Sequence, residues 1–221
     1  METEKRTNIK RGRKPYQPEQ VNHETRDIII QIARRLFAEK GYDGCGVAEI
    51  AKQAGVNKAL VFYYFGNKEG VLKEVLNFAA NEAIERRNTF FKMGQPFTKE
   101  LLNEYYREVL EAMQSKRQVI KILLSEALKD KDSNAFLFEF LEKAKGNMSQ
   151  KFKEIGLQLK DQQKLETTQF FFDAMALFTF VALEEKWCAY KNFDREMVKK
   201  DFLDVFNSGY LDYFYHEYFK K

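Results

Sequence analysis

The chain reads as all-α, and three features of it predict that class. Of its three prolines (Pro15, Pro18 and Pro96) only one falls after residue 18, so the rest runs almost free of the residue that breaks helices. Runs of β-branched residues are scarce. Apolar side chains recur at three- and four-residue intervals through most of the sequence. At 221 residues there is room for one large helical body, or for a small domain plus a larger one. About nine helices are expected.

The first is predicted from about His23 to Lys40, capped by Asn22 and stopped by Gly41, with Ile29, Ile32, Ala33, Leu36 and Phe37 as its apolar stripe. Two very short helices follow. The first of these, about Val47 to Ala54, places Val47, Ile50, Ala51 and Ala54 on one face. Gly55 comes next, where a tight left-handed turn favours a residue without a β-carbon. Asn57 can cap the second short helix, which ends near Tyr64. Helices this short are not stable alone, so a third must hold them. Such a pair makes sense when the second helix is carried to a surface and inserted into something, usually a DNA major groove.

The stretch VAEIAKQAGVNKALVFYYFGNK (residues 47–68) resembles a helix-turn-helix, with Ala51 where the helices cross and Gly55 in the turn. The wider segment from Ala33 to Leu76 is similar to the DNA-binding domain of the TetR family of one-component transcriptional regulators. The features that carry the likeness are LFAEKGY, IAKQAGV and YYFGNKE, over about fifty residues; beyond Leu76 only length and helical pattern agree. The resemblance implies a three-helix DNA-binding domain at residues 21–68, joined to a larger helical ligand-binding and dimerisation domain at 69–221.

A recognition helix reaches base edges with its N-terminus and first two turns. Here those residues are Asn57, Lys58, Ala59, Leu60, Phe62 and Tyr63. Lys58 can donate to guanine, Ala59, Leu60 and Phe62 can touch thymine methyls, and the Tyr63 hydroxyl suits a phosphate. Lys68, opening the fourth helix, would meet the backbone. Tyr64 is divided between core and phosphate contact. Cys45 and Gly46, also candidate DNA contacts, stand where the family commonly has threonine followed by threonine or serine, so a hydroxyl that caps and binds phosphate is missing. Leu60 and Phe62 remove two more hydroxyls, since threonine and tyrosine are frequent there.

Residues 1–20 are polar, aperiodic and proline-containing, which predicts a disordered arm. Its cluster from Lys10 to Pro15 resembles an AT-hook, with Lys14 intervening between Arg13 and Pro15. Arg11 and Arg13 are accordingly candidate minor-groove contacts, against the plainer reading of a solubilising tail. Charge placement agrees with a DNA partner. Residues 1–70 hold 13 lysines and arginines against 9 acids, and the remainder holds 24 of each, so the whole excess of +4 sits with the reader.

A fourth helix is predicted from about Asn67 to Lys92, with Val71, Leu72, Val75, Leu76, Ala79, Ala83 and Ile84 inward. Further helices are expected at about 98–114, 117–130 and 132–156, and two long ones at about 163–190 and 195–219. The family resemblance implies a homodimer through the last two. Its candidate contacts are Phe170, Ala174, Val198, Phe202, Val205, Phe206, Gly209 and Tyr213, against a reading in which these aromatics fill a monomer core. The resemblance also implies a small-molecule effector pocket after Leu76. Candidates for its lining are Tyr105, Tyr106, Met113, Phe136, Phe140, Phe171, Met175, Phe178 and Trp187. An acyl chain, a planar cation or an aromatic metabolite would each suit them.

An enzyme is not expected. His23 and His216 are the only histidines, no nucleophile has a nearby base, and no glycine-rich phosphate loop occurs. Cys45 and Cys188 fit no metal spacing, so neither metal nor cofactor is expected, and unpaired cysteines suit the cytoplasm. The most apolar run, Phe170 to Leu183, is interrupted by Asp173 and Thr179 and is too short to cross a bilayer. The expected function is a ligand-responsive repressor on a palindromic operator. An activator of the same architecture and an architectural DNA-binding protein without an effector are the alternatives.

Overall fold

The computed structural model describes residues 23–92, 98–129, 136–146 and 161–218, and every regular element among them is helical. The arm at residues 1–20, with Arg11 and Arg13, and the Asn22 cap lie outside the described residues. Helix α1 (His23–Lys40) lays Ile29, Ile30, Ala33, Leu36 and Phe37 into the core; this is the predicted stripe except that Ile30 is buried and Ile32 is only half-buried against the core. Helices α2 (Val47–Gln53) and α3 (Lys58–Phe65) dock on this unit, α2 through Ile50 and Ala51 and α3 through Val61 and Phe65.

Helix α4 (Lys68–Phe90) is the spine. It packs against α1 and α3 on the reader side and against α7 (Phe136–Lys145) on the other. Helices α5 (Lys99–Gln114) and α6 (Arg117–Ala127) complete the body with α8 (Gln162–Thr168), α9 (Met175–Lys191), α10 (Arg195–Phe206) and α11 (Asp212–Tyr218). Two π-helical segments, Gln169–Ala174 and Asn207–Leu211, join α8 to α9 and α10 to α11. One buried cluster runs without interruption from Ile29 through Ile50, Val61 and Leu72 to Leu123, Phe178 and Phe214. Reader and body therefore share a core, and a shift in one is felt by packing in the other.

The body is pinned by a buried carboxylate. Glu184 on α9 is 4 % exposed and takes Arg195 of α10 through Nη2 at 2.7 Å and Nε at 3.2 Å. Arg117 of α6 pairs with the same carboxylate and also donates to the Val181 carbonyl at 2.6 Å. Burial alone would raise the Glu184 carboxyl, but the two guanidiniums outweigh it and hold the group below its ordinary range.

Candidate nucleic-acid interface and ligand cavity

The reader's geometry begins at its turn. Gly55 has φ +69°, the left-handed value that a side chain resists, and its amide closes the end of α2 on Lys52. Two residues later Asn57 sits in extended backbone and its Oδ1 accepts the Leu60 amide at 2.7 Å. Asn67 repeats the device at the start of α4, accepting the Gly70 amide at 2.8 Å. By contrast Gly46, the N-cap of α2, offers no side-chain cap, as expected from the missing hydroxyl.

Between those caps the exposed face is distinct. Asn57, Lys58, Ala59, Phe62 and Tyr63 are exposed and Leu60 is half-buried, while Val61 and Phe65 point inward. The Lys58 ammonium lies 5.3 Å over the Phe62 ring, holding a cation beside an apolar contact surface. Lys68 is half-buried, with its ammonium 4.2 Å over the ring of Tyr42. Tyr42 was not singled out from the sequence, and only its place after the Gly41 helix stop could have signalled it. Tyr64 is half-buried against the core. Cys45 departs from expectation: its side chain is 1 % exposed and packs into the core, so the thiol is no surface contact for DNA. Burial also raises the thiol.

A second concave site lies in the body. A cavity of about 240 Å³ is lined by α4, α5, α6, α7, the first π segment and α9. Tyr105, Tyr106, Met113, Phe140 and Phe178 line it, as the aromatic-rich sequence suggested. Four other expected residues are placed elsewhere. Phe136 is buried in the core, Met175 packs on that core, and Phe171 and Trp187 face outward, 60 % and 48 % exposed. The dimer candidates are redistributed too. Phe170 and Ala174 line the cavity, Phe206 is buried, and Phe202 stacks on Phe180 at 4.0 Å. Val198 is half-buried, whereas Val205, Gly209 and Tyr213 remain exposed. For Phe170, Phe171 and Ala174 the physical cause is the π segment: its wider turn shifts the α-helical register, so faces extrapolated through residues 169–174 come out rotated.

Of the polar wall residues, Tyr105 and Tyr106 were expected from the sequence, whereas Asp173, Arg87 and Glu142 were not named as lining. Asp173, in the π segment, accepts from the Tyr106 hydroxyl at 2.5 Å. Burial pushes its carboxyl up to about 7, with the hydroxyls of Tyr106 and Tyr210 pulling the other way. Tyr105 is pushed up to about 12 by burial. Arg87 on α4 is 4 % exposed, donates through Nη1 to the Ala144 carbonyl at 2.8 Å, and is lowered by burial. Its position on the inward stripe of α4, four residues after Ala83, was the signal available for it. Glu142, another acid of the wall, is paired with Lys145 at 2.7 Å.

An exposed capped helix carried on a three-helix unit, continuous in its core with a helical body that holds a cavity, defines a protein of the helix-turn-helix DNA-binding class. Comparison with known proteins agrees. Residues 29–75 match the model for "Bacterial regulatory proteins, tetR family". The chain is 35 % identical over 91 residues to the HTH-type transcriptional regulator YuxN of Bacillus subtilis, covering 40 % of this chain and 31 % of that one. It is 37 % identical over 60 residues to IcaR of Staphylococcus epidermidis, the negative regulator of the biofilm operon icaADBC, covering 27 % and 32 %. A TetR-family regulator from Mesorhizobium loti shares the fold with TM-score 0.63 at 19 % identity, over 90 % of this chain and 99 % of that one. Residues 29–75 are thus a helix-turn-helix segment of the TetR-family type, and the described helices share the fold of that solved regulator. The matched stretch spans about a third of YuxN and of IcaR. Among the described residues no helix is long and apolar enough to cross a membrane.

Proposed function

We propose that the protein is a cytoplasmic repressor that binds a palindromic operator as a homodimer and is released by a small molecule held in the cavity. The observation that carries this reading is α4 itself. Its N-terminus, capped by Asn67 and bearing Lys68, adjoins the reader, and Ala79, Ala83, Arg86 and Arg87 further along it form cavity wall. At 1.5 Å per residue, Lys68 and Arg87 are about 28 Å apart along one rigid rod. A ligand that tilts the rod changes the separation of two recognition helices in a dimer, and so selects a conformer that no longer spans both half-sites. To do so it must bind that conformer more tightly, because affinity alone shifts nothing.

The dimer reading is supported by an exposed apolar face at the end of the body. Leu183, Trp187 and Tyr190 on α9, with Met197 and Val205 on α10, are each about half exposed or more. The partner we assign to this face is a second copy of the chain. Repression is favoured over activation by the likeness of the reader to IcaR.

Selecting sites from a random DNA pool with the full-length protein tests the whole reading. A palindrome with half-sites about one helical turn apart or slightly more is expected. Recovery of sites without sequence preference would leave only an architectural role.

A further inference from the structure

We propose that Arg87 is the head-group site of the cavity and that the ligand is a small monocarboxylate with an apolar body. This deepens the effector reading above and rests on it. The argument starts from which guanidinium edge is used. Nη1 is engaged by the Ala144 carbonyl, while Nε and Nη2 are buried and no described residue accepts from either. Those two nitrogens form the side-on edge of the guanidinium, whose parallel N–H bonds match the two oxygens of a carboxylate. Burying a guanidinium without a counter-charge is costly, so its persistence in a cavity wall points to a function.

The neighbouring acids are already engaged. Asp173 takes the Tyr106 hydroxyl and Glu142 takes Lys145, and no ion pair or hydrogen bond joins either to Arg87. Gly146 makes room beside the edge. It adopts φ +53° after α7, and a β-carbon there would stand 3.1 Å from Nη2. The rest of the wall selects the body of the ligand: Val109, Ile120, Leu123, Phe140 and Leu177 offer no hydrogen bonds. At about 30 Å³ for each water-sized group, the 240 Å³ cavity holds about eight such groups.

Octanoate, octan-1-ol and octylamine, three straight chains that differ in head-group, test this by calorimetric titration into the full-length protein. Octanoate binds about ten-fold or more tighter than the alcohol, the margin of a bidentate charged pair. In Arg87→Met, whose apolar side chain fills similar space, that preference disappears and alcohol binding persists. Equal binding of acid and alcohol by the wild type overturns the head-group assignment without any variant, and so does undiminished preference in Arg87→Met. Tightest binding by octylamine overturns it as well and moves the polar site to Asp173. The effector reading survives those outcomes if the alcohol still weakens operator binding. If none of the three binds, both fall.

Discussion

The two ends of α4 are finished differently. At the reader end the helices on either side of the exposed face start on local side-chain caps, Asn57 for α3 and Asn67 for α4, and Gly55 supplies the left-handed turn between α2 and α3. Helix α2, at Gly46, starts without such a cap. At the cavity end the polar groups are left in tension. Asp173 is held up to about 7 in a π segment, and Arg87 keeps two buried nitrogens without a described acceptor. A surface that must match a duplex benefits from fixed geometry, since a loose rod would lose entropy on binding. A site that must respond to a ligand needs an interaction left incomplete until the ligand arrives. Under the proposed function, departures from local consistency fall where a ligand would be sensed.

Glu184 offers the sharpest way to break that contrast, because it is a buried ionic site in the body that is fully satisfied. Replacing it by Leu leaves Arg117, with a side chain only 10 % exposed, without this partner. A loss of about 3–5 kcal/mol in stability is expected, read by urea denaturation. Arg87→Met should behave oppositely, leaving stability unchanged or improved. If both variants lose equally, Arg87 is a structural residue and the contrast between the two sites is lost.

Asp173 gives the next largest effect, with a definite sign. Its folded value of about 7 lies above the unfolded carboxylate value, so folding favours the protonated form. Its contribution is full below the unfolded value and is lost as pH rises through about 7. Asp173→Asn should therefore gain on the wild type by about 2 kcal/mol between about pH 5.5 and about pH 8.5. Denaturation curves at the two pH values check this, and a constant difference would mean that the carboxyl stays ionised throughout.

How much could be read beforehand follows the same division. The reader was legible nearly to the residue, because short-range rules govern it: α1 has the expected bounds, and Asn57 and Gly55 act through neighbours within three positions. Cys45 is buried rather than exposed because side-chain direction at a helix entry depends on packing into the shared core, which no local pattern encodes. In the body, the helices were legible but their facing was not. Phe170 and Ala174 read as an outer face until the π segment turned them to the cavity. Arg87 and Asp173 were visible only as charges on apolar stripes, and their meaning required the elements across the cavity.

Lys58 sharpens the reader side. Exposed on the first turn of α3 and poised over Phe62, it is placed to donate to a base edge while the ring covers an apolar neighbour. Lys58→Ala should cost about 1–3 kcal/mol in operator affinity and relax the preference at one base pair per half-site. Lys68→Ala should instead weaken all sequences alike, because a phosphate contact carries no base information. Competition binding against operator variants separates the two, and a uniform loss for Lys58→Ala would make it another phosphate contact.

The smallest effect tests whether the reader's rigidity matters for recognition. Asn57→Ala removes the acceptor of the Leu60 amide and should lower stability by about 1 kcal/mol, with the core residues Val61 and Phe65 unaltered. Asn57→Asp retains an acceptor and adds a favourable charge at the helix N-terminus, so stability should be kept or slightly raised. That same charge faces the phosphates, so the Asp variant should bind operator worse than its stability suggests. Stability and affinity are then expected to move in opposite directions for Asp and together for Ala. Parallel changes in both variants would mean that Asn57 acts only as a cap and that the tip of α3 stays clear of the duplex.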